Sequence, residues 1–393
     1  MNAERAASLN DFKPRLVPAL QRSLRDGNQL AIEDIGFTDV CYQEPLGSGE
    51  HPHSRWNSEI DISGKFTSDI PLGIPILSSS MPGVTNFEIA TKLGESGGLA
   101  VLPREMPQEE LKALVLRLKN YEINSECLTK DKPWFAGAIG VYPQSGPSAM
   151  ERAELMVMWG IPAMFIETQQ ANSALVMSFC EQLRREFPNL PIVTGVFNSV
   201  DGVRRAIDAG TSAVKVGIGT GDACLTSVMS GVTKGQVNTV IEIAGYLDDL
   251  ATIPVIIDGG TSTPGGAAIM MSILKGRGAI MLGSKIAAVA ESSSVKIEHE
   301  TNGGRVTEAI IEGMGSEAID AKRGGRQDQR ILEGTVIRRT VSGTFDQLLN
   351  KYEGGFRTAM YGYHGAKNWT ELANRAVIGL NSPSNILARF HRD

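Results

Sequence analysis

Short apolar segments alternate with amphipathic ones along the central part of the chain. The apolar segments are five or six residues long and nearly free of polar positions, which is typical of strands buried on both faces of a parallel sheet. Two amphipathic segments, 173–187 and 199–210, begin at a serine suited to cap a helix. Eight strands alternating with helices favour a (β/α)8 barrel over an open sheet. We predict the strands at 75–79, 98–102, 136–141, 163–167, 191–195, 213–217, 254–258 and 279–283.

In such a barrel, the chemistry lies at the C-terminal ends of the strands. Polar residues and glycines gather at these ends. Glu167 ends the fourth strand, and GIGTGDACLTS (217–227) follows the sixth. The seventh strand ends in Asp258 and two glycines, and the eighth ends in Gly283-Ser284. We therefore expect these segments to form the functional site.

Two regions fall outside the predicted strand–helix repeat of a single domain spanning 1–393. The first is an N-terminal arm over 1–70. The second is the polar segment 317–335, which we call the flap; it contains a Gly-Gly pair and many charged side chains. The flap is either a solvated loop or a mobile lid over the site, and its position after the last barrel strand is compatible with both.

Composition excludes several classes of function. The chain has 393 residues and a formal net charge of −6, which argues against a nucleic-acid or anionic-membrane partner. No apolar run approaches the roughly 20 residues of a membrane span. The charged N-terminus lacks the apolar core of a signal peptide, which predicts a cytoplasmic protein. The four cysteines are scattered without a CxxC pair, so neither a disulfide framework nor a zinc site is indicated.

The residues alone leave two candidate roles open. Cys224 follows a strand through three glycines, where backbone amides lower a thiol pKa, but cysteine is also commonly a small buried residue. Asp258 is placed to accept hydrogen bonds from a sugar diol, or else to cap a helix. The DGG and GS segments offer unobstructed backbone N–H groups that suit a phosphate.

Several motifs in order resemble one known family. VKVGIGTGDACLTS, IPVIIDGGTSTPGG, AIMLGSKIA, IEGMGSEAI and GGFRTAMYGYHGA are similar to the successive signatures of the IMP dehydrogenase/GMP reductase family, and PLGIPILSSSMPGVTNFEIA resembles its first strand. The resemblance covers roughly 30–380. It implies a (β/α)8 barrel, usually a homotetramer, acting on a purine nucleotide or nucleoside.

The resemblance also implies roles for individual residues. Cys224 matches the nucleophile that attacks C2 of the purine. Thr226 and Glu333 match the pair that, in the reductases, polarises the group at C2. Glu167 and Lys215 fall on the cofactor side. The remaining matches bind the substrate or a K+ ion. Asp258 matches the residue that binds the ribose hydroxyls, and the residues that match the phosphate site are Gly260, Gly283 and Ser284. Ser79 and Met81 match positions that line the nucleotide, the backbone that contacts the purine ring is matched by Gly313, Met314 and Gly315, and Gly219 and Gly221 match a loop that binds K+.

The direction of the reaction follows from the flap. Dehydrogenases of this family carry an Arg-Tyr pair that activates water, and EAIDAKRGGRQDQRIL (317–332) contains no tyrosine. The resemblance therefore favours NADPH-dependent reductive deamination of a guanine nucleotide, with NADH and NAD left open. The alternatives are oxidation of IMP to XMP with NAD, and a catalytically silent purine-binding paralogue.

The phosphate site departs from the family pattern. Asp222 stands where a phosphate-contacting serine is expected, and Ile311 where a phosphate-binding tyrosine is expected. A carboxylate about 4 Å from a phosphate costs of order 4 kcal/mol per unit charge at an effective dielectric constant of about 20. Lys285 either pairs with Asp222 or takes the phosphate itself. The substrate is therefore predicted as GMP or a related guanine nucleoside.

Overall fold

The computed structural model describes residues 15–16, 40–42, 59–123, 132–141, 148–250, 253–301, 304–322 and 331–380. Its centre is an eight-stranded parallel sheet in the order β5 (Ile76–Ser78), β12 (Gly278–Leu282), β11 (Val255–Asp258), β10 (Ala213–Val216), β9 (Ile192–Phe197), β8 (Met164–Glu167), β7 (Phe135–Ile139) and β6 (Ala100–Val101). A parallel bridge between Leu77 and Leu99 joins the first and last strands and closes the ring. The (β/α)8 barrel is therefore confirmed, and each predicted strand overlaps an observed one.

Helices connect the barrel strands on the outside. The two helices predicted to begin at serine caps are present: the Ser173 side chain accepts a hydrogen bond from the Val176 amide, and Ser199 accepts one from Gly202. The helices are α1 (Phe87–Glu95), α2 (Gln108–Lys119), α3 (Ala149–Trp159), α4 (Ala174–Glu186), α5 (Val200–Asp208), α6 (Thr226–Ser230), α7 (Gln236–Leu250), α8 (Pro264–Ile273), α9 (Ser284–Ala287), α10 (Glu317–Lys322), α11 (Phe345–Arg357) and α12 (Trp369–Arg375), with a π-helical turn at Thr358–Tyr363.

The barrel interior is filled by alternate side chains of its strands, because successive side chains of a strand point to opposite faces. Phe165, Ala213 and Ile256 belong to this inner cluster, and their neighbours along the chain pack against the helices instead. A hairpin of β3 (Gly64–Thr67) and β4 (Ile70–Leu72) adds Phe66 to the same cluster. The interior is therefore a packed core, and a ligand is confined to the ends of the strands.

Two further sheets lie outside the barrel. β13 (Val295–Thr301), β14 (Gly304–Glu312) and β15 (Val336–Thr340) form an antiparallel sheet. β1 (Arg15–Leu16), β2 (Val40–Tyr42) and β16 (Val377–Leu380) form a mixed sheet, in which β16 pairs parallel with β1 and antiparallel with β2. We did not predict the antiparallel sheet from the sequence. β13 and β15 are largely exposed and rich in charged residues, and only the end of β14 buries alternate residues, Ala309 and Ile311, so the apolar alternation is too short to predict the sheet.

The flap is described only at its two ends, because 323–330 lie outside the described residues. Most of the N-terminal arm and Cys127 lie outside them as well. In the described part of the chain, no helix is both long and apolar enough to cross a membrane.

Candidate active site

The cysteine loop, which we define as 217–225, is fixed to the end of β11. The Thr220 hydroxyl lies 2.8 Å from the carbonyl oxygen of Asp258, to which it donates, and 3.1 Å from that of Gly217. Gly259 has a φ of +78°, and a Cβ there would lie 2.5 Å from Thr220 Oγ1. Glycine is needed at this position both for its backbone conformation and for the close packing of the loop. The DGG segment therefore supports the cysteine loop.

Cys224 lies near the end of this loop, next to a hydroxyl group. Its Sγ is 3.3 Å from Thr226 Oγ1, and its amide donates to the Gly221 carbonyl at 3.0 Å. Cys224 is partly exposed, whereas Cys180 is buried against β9, where burial raises the pKa of its thiol. An accessible thiol beside a hydroxyl at the strand ends fits the nucleophile reading of Cys224 better than the inert one.

Backbone hydrogen bonds join the C-terminal end of the flap to the cysteine loop. The Leu225 amide donates to the Glu333 carbonyl at 2.8 Å, and the Thr335 amide donates to the Ala223 carbonyl at 3.0 Å. Gly313 donates to the Thr335 carbonyl at 2.9 Å on the other side. The Gly313-Met314-Gly315 turn, the flap end and the cysteine loop therefore form one continuous strip at the mouth of the barrel.

The predicted contact between Thr226 and Glu333 is not seen among the described residues: the Glu333 carbonyl accepts the amide of Leu225, the residue before Thr226. Glu333 is held beside the cysteine loop, but among the described residues its carboxylate makes no hydrogen bond with the Thr226 hydroxyl. Thr226 is buried, and Glu333 contacts the cysteine loop through its backbone carbonyl. Their joint action in proton transfer stays a prediction.

An ion-pair cluster, in which Lys215 and Glu167 are buried and Asp258 is half-buried, closes the top of the barrel interior. Lys215 Nζ lies 2.5 Å from Glu167 Oε2 and 2.7 Å from Asp258 Oδ2. These three residues, which we call the buried triad, stand two positions after inner residues of β8, β10 and β11. Gly195 of β9 lies between β8 and β10, and a Cβ there would lie 2.4 Å from Lys215 Cβ. The missing side chain at Gly195 lets the lysine cross to Glu167.

Opposing effects act on the lysine of the triad. Burial lowers the pKa of Lys215, but the charges of Asp258 and Glu167 and their hydrogen bonds outweigh burial and hold this pKa above its ordinary value. Lys215 is therefore an ammonium ion that fixes both carboxylates. Glu167 Oε1 is buried and receives no hydrogen bond from a described residue, so a ligand donor could complete it.

A second charged cluster occupies the predicted phosphate site. Asp222 Oδ2 accepts a hydrogen bond from the Ser284 hydroxyl at 2.5 Å and an ion pair from Arg339 Nη2 at 2.7 Å. The Tyr352 hydroxyl donates to the Thr261 carbonyl at 2.7 Å. Burial and, secondly, the charge of Asp222 raise the pKa of Tyr352. Asp222 is therefore held at this site by its contacts with Ser284 and Arg339.

The remaining predicted residues lie around the same mouth. Gly283 adjoins Ser79 and Met81, since a Cβ at Gly283 would lie 3.0 Å from Met81 Sδ and 3.4 Å from Ser79 Cβ. Gly260 directly follows Gly259, with a φ of +76°. The Gly221 carbonyl already accepts the Cys224 amide, and Gly219 lies beside Ser227. No group of His, Cys, Asp and Glu able to hold a metal occurs among the described residues, and K+ binding by the carbonyls stays a prediction.

Sequence reasoning missed two site residues, Arg339 and Tyr352. Asp222 signalled the need for a counter-charge, but nothing in VIRRT (336–340) distinguishes Arg339 from its neighbour before β15 is known to pair with β14. Tyr352 lies on α11, and only the fold brings it to Thr261, the residue after the DGG segment.

A cleft of about 1480 Å³ opens next to the site, between the loops after β5 and β6 and helices α2 and α3. Pro82 and Arg104 line it. Arg104 donates to the backbone carbonyl of Glu167 at 2.8 Å and pairs with Glu105 at 2.7 Å. The cleft therefore adjoins the buried triad.

Comparisons with known proteins agree with this geometry. A model of the IMP dehydrogenase / GMP reductase domain matches residues 49–387. An inosine-5'-monophosphate dehydrogenase of Borreliella burgdorferi is 24% identical over 392 residues, covering 88% of this chain and 93% of that protein. The enzyme of that name from Cryptosporidium parvum is 26% identical over 351 residues, covering 80% and 85%. That of Aquifex aeolicus is 29% identical over 245 residues, covering 61% and 48%.

The closed barrel and its cysteine loop define a (β/α)8-barrel protein with a thiol-centred site at the strand ends. Because the family model matches most of the chain, the chain belongs to the IMP dehydrogenase/GMP reductase family of oxidoreductases. The match does not distinguish the two activities in the family name.

Proposed function

We propose that this protein catalyses the NADPH-dependent reductive deamination of a guanine nucleotide or nucleoside at C2. Guanine substrate, NADPH and two protons give the hypoxanthine product, NADP+ and an ammonium ion. The observation that carries the proposal is the 3.3 Å contact between Cys224 Sγ and Thr226 Oγ1, on a loop that also holds Glu333 by its backbone. These contacts support a nucleophile and a proton-transfer pair at one carbon.

The chain's own groups then act in sequence. The Cys224 thiolate adds to C2, and the ring nitrogen takes up a proton. Thr226 and Glu333 deliver a proton to the amino group as the C2–N bond breaks and ammonia leaves. Hydride reaches C2, the C–S bond breaks to regenerate the thiolate, and the ring nitrogen releases the proton that it took up. Asp258, oriented by Lys215, would hold the ribose hydroxyls throughout.

A nicotinamide cofactor would supply the hydride, because no protein side chain provides one. Glu167 Oε1 is buried without a donor from the described residues, so it suits a carboxamide or ribose hydroxyl. Arg104 and Pro82 would border the cofactor in the adjoining cleft. We propose NADPH as the donor on the resemblance to the reductases.

The flap sequence supports reduction over dehydrogenation. Segment 317–332 contains no tyrosine, whereas dehydrogenases of the family use an Arg-Tyr pair to activate water. The second candidate is oxidation of IMP with NAD, which the names of the relatives favour. We further propose that 317–335 closes over the site, that the carbonyls of Gly219 and Gly221 bind K+, and that the protein works as a cytoplasmic homotetramer.

Turnover assays test the proposal. The protein is mixed with GMP or guanosine and NADPH, and nicotinamide absorbance and ammonia are followed together. We expect one ammonia released for each NADPH consumed. Formation of NADH from IMP and NAD, with no ammonia from any guanine compound, would instead establish the second candidate. Binding of purines without turnover in either direction would leave the silent paralogue.

Thr226→Val and Glu333→Gln are expected to slow deamination. A positioned acid–base group contributes about 10²–10⁴-fold to a rate, so kcat should fall by that range in each variant while KM for the guanine substrate changes little. The double variant should lose little more than either single one if the two side chains act as one relay. Multiplicative losses would contradict the relay. Thr239→Val, on α7, is the matched control.

A further inference from the structure

The phosphate end of the site already contains an anion of the protein itself. Asp222 Oδ2 takes the hydrogen bond of Ser284 and the ion pair of Arg339. Ser284 is the hydroxyl that the family resemblance assigns to the 5′-phosphate, and here its proton points to a carboxylate. Ile311, at the position of the family's phosphate-binding tyrosine, is buried and has no polar group to offer.

A 5′-phosphate would have to compete with Asp222 for these donors. Charge-assisted hydrogen bonds are the strong ones, and a phosphate dianion entering the site would both repel Asp222 and require Ser284 and Arg339 to abandon it. The pKa of Tyr352 is raised by burial and by Asp222. Its hydroxyl donates to the Thr261 carbonyl, so that proton is already used and is not offered to a phosphate. The family resemblance implies neutral hydroxyl donors at this site, whereas this chain has the ion-paired carboxylate of Asp222.

A sugar 5′-hydroxyl, unlike a 5′-phosphate, can form a favourable hydrogen bond with Asp222. Both contacts of Asp222 use Oδ2, and no described residue donates to Oδ1. The side chain of Asp222 is 32% exposed, so a ligand can reach that oxygen. A sugar 5′-hydroxyl can donate to a carboxylate oxygen, whereas a phosphate dianion has no proton to give.

We infer that the substrate of this site is a purine nucleoside with a free 5′-hydroxyl, which Asp222 accepts where related enzymes bind a 5′-phosphate. The inference rests on the proposed purine chemistry at Cys224 and specifies its substrate class. Asp222 is the residue that determines this specificity, and Ser284 and Arg339 position its carboxylate.

Paired ligands test the inference. Guanosine, GMP, inosine and IMP are titrated against the full chain by calorimetry, and the two guanine compounds are compared as substrates with NADPH. We expect each nucleoside to bind at least about tenfold more tightly than its 5′-phosphate, a difference of about 1.4 kcal/mol. We expect kcat/KM to favour guanosine equally. Tighter binding of the nucleotides, or no binding of any nucleoside, overturns the inference.

The two proposals fail in different ways. If guanosine and inosine bind more tightly than their 5′-phosphates but no ammonia is released, the proposed reductive deamination is wrong and the inferred nucleoside substrate class is still supported. Efficient deamination of GMP but not of guanosine would keep the reaction and overturn the substrate class.

Two variants test whether Asp222 and Arg339 cause the preference for nucleosides. Asp222→Ser restores the family's hydroxyl and should move the preference toward the nucleotide by at least about tenfold, with the folded state checked by circular dichroism. Arg339→Gln should weaken nucleoside and nucleotide binding similarly, because it releases Asp222. If Arg339→Gln instead weakens only GMP and IMP, the arginine is a phosphate ligand and the inference falls. Arg338→Gln, the neighbouring exposed arginine, is the control.

Discussion

Cys224→Ala is expected to abolish turnover, with kcat lower by about 10³-fold or more while substrate still binds. Removing a covalent nucleophile forces the reaction through a single difficult step. Binding should survive because the sugar and purine contacts proposed for Asp258 and the Gly313–Gly315 turn do not involve the thiol. The measurement is kcat with saturating guanine substrate and NADPH, together with the substrate Kd from calorimetry.

Cys41→Ala is the matched control for this variant. Cys41 is also a partly exposed free cysteine, but it lies on β2, in the sheet outside the barrel. We expect its loss to leave kcat unchanged, and alkylation of the wild-type protein by a small thiol reagent to inactivate only through Cys224. Activity that persists in Cys224→Ala would remove the covalent mechanism and with it the proposed function.

The barrel was predictable because its signal is local. Strands buried on both faces must be short and apolar, and helices between them need caps such as Ser173 and Ser199; both patterns can be read without knowing any long-range contact. The β13–β15 sheet carries no such signal. Glu298, His299 and Arg338 stand on exposed strands that pair with β14, and the fully buried apolar positions of the sheet are confined to Ala309 and Ile311 of β14.

Only part of the candidate site could be predicted from the sequence. Cys224, Asp258 and Ser284 follow barrel strands, and the topology alone brings strand ends together. Arg339 could not be placed in this way, because its contact with Asp222 spans 117 residues of sequence and depends on the register of β15 against β14. Charge complementarity indicates that a buried or half-buried carboxylate needs a partner, but it does not say which arginine provides it.

The second large effect concerns stability: Lys215→Met is expected to lower the free energy of unfolding by about 3–5 kcal/mol. Removing one partner of a buried ion pair leaves uncompensated charge in the interior, and here the buried Glu167 and the half-buried Asp258 lose the same cation. The raised pKa of Lys215 makes its stabilisation fully present below the ordinary lysine pKa of about 10.4, and it is lost only as pH rises through the raised pKa. A urea-unfolding midpoint at pH 7 therefore measures the whole effect.

Two further variants separate the triad's charge from the volume of its lysine. Lys215→Met combined with Glu167→Gln and Asp258→Asn should recover much of the lost stability, because the amides carry no charge to leave unpaired. Lys367→Met breaks an ion pair with Glu59 whose side chains are 50% and 59% exposed, and solvent screening should leave its midpoint where it is in the wild type. If Lys215→Met unfolds at the same urea concentration as Lys367→Met, the triad contributes no net electrostatic stability. Its lysine would then serve only to orient Asp258 toward the ligand.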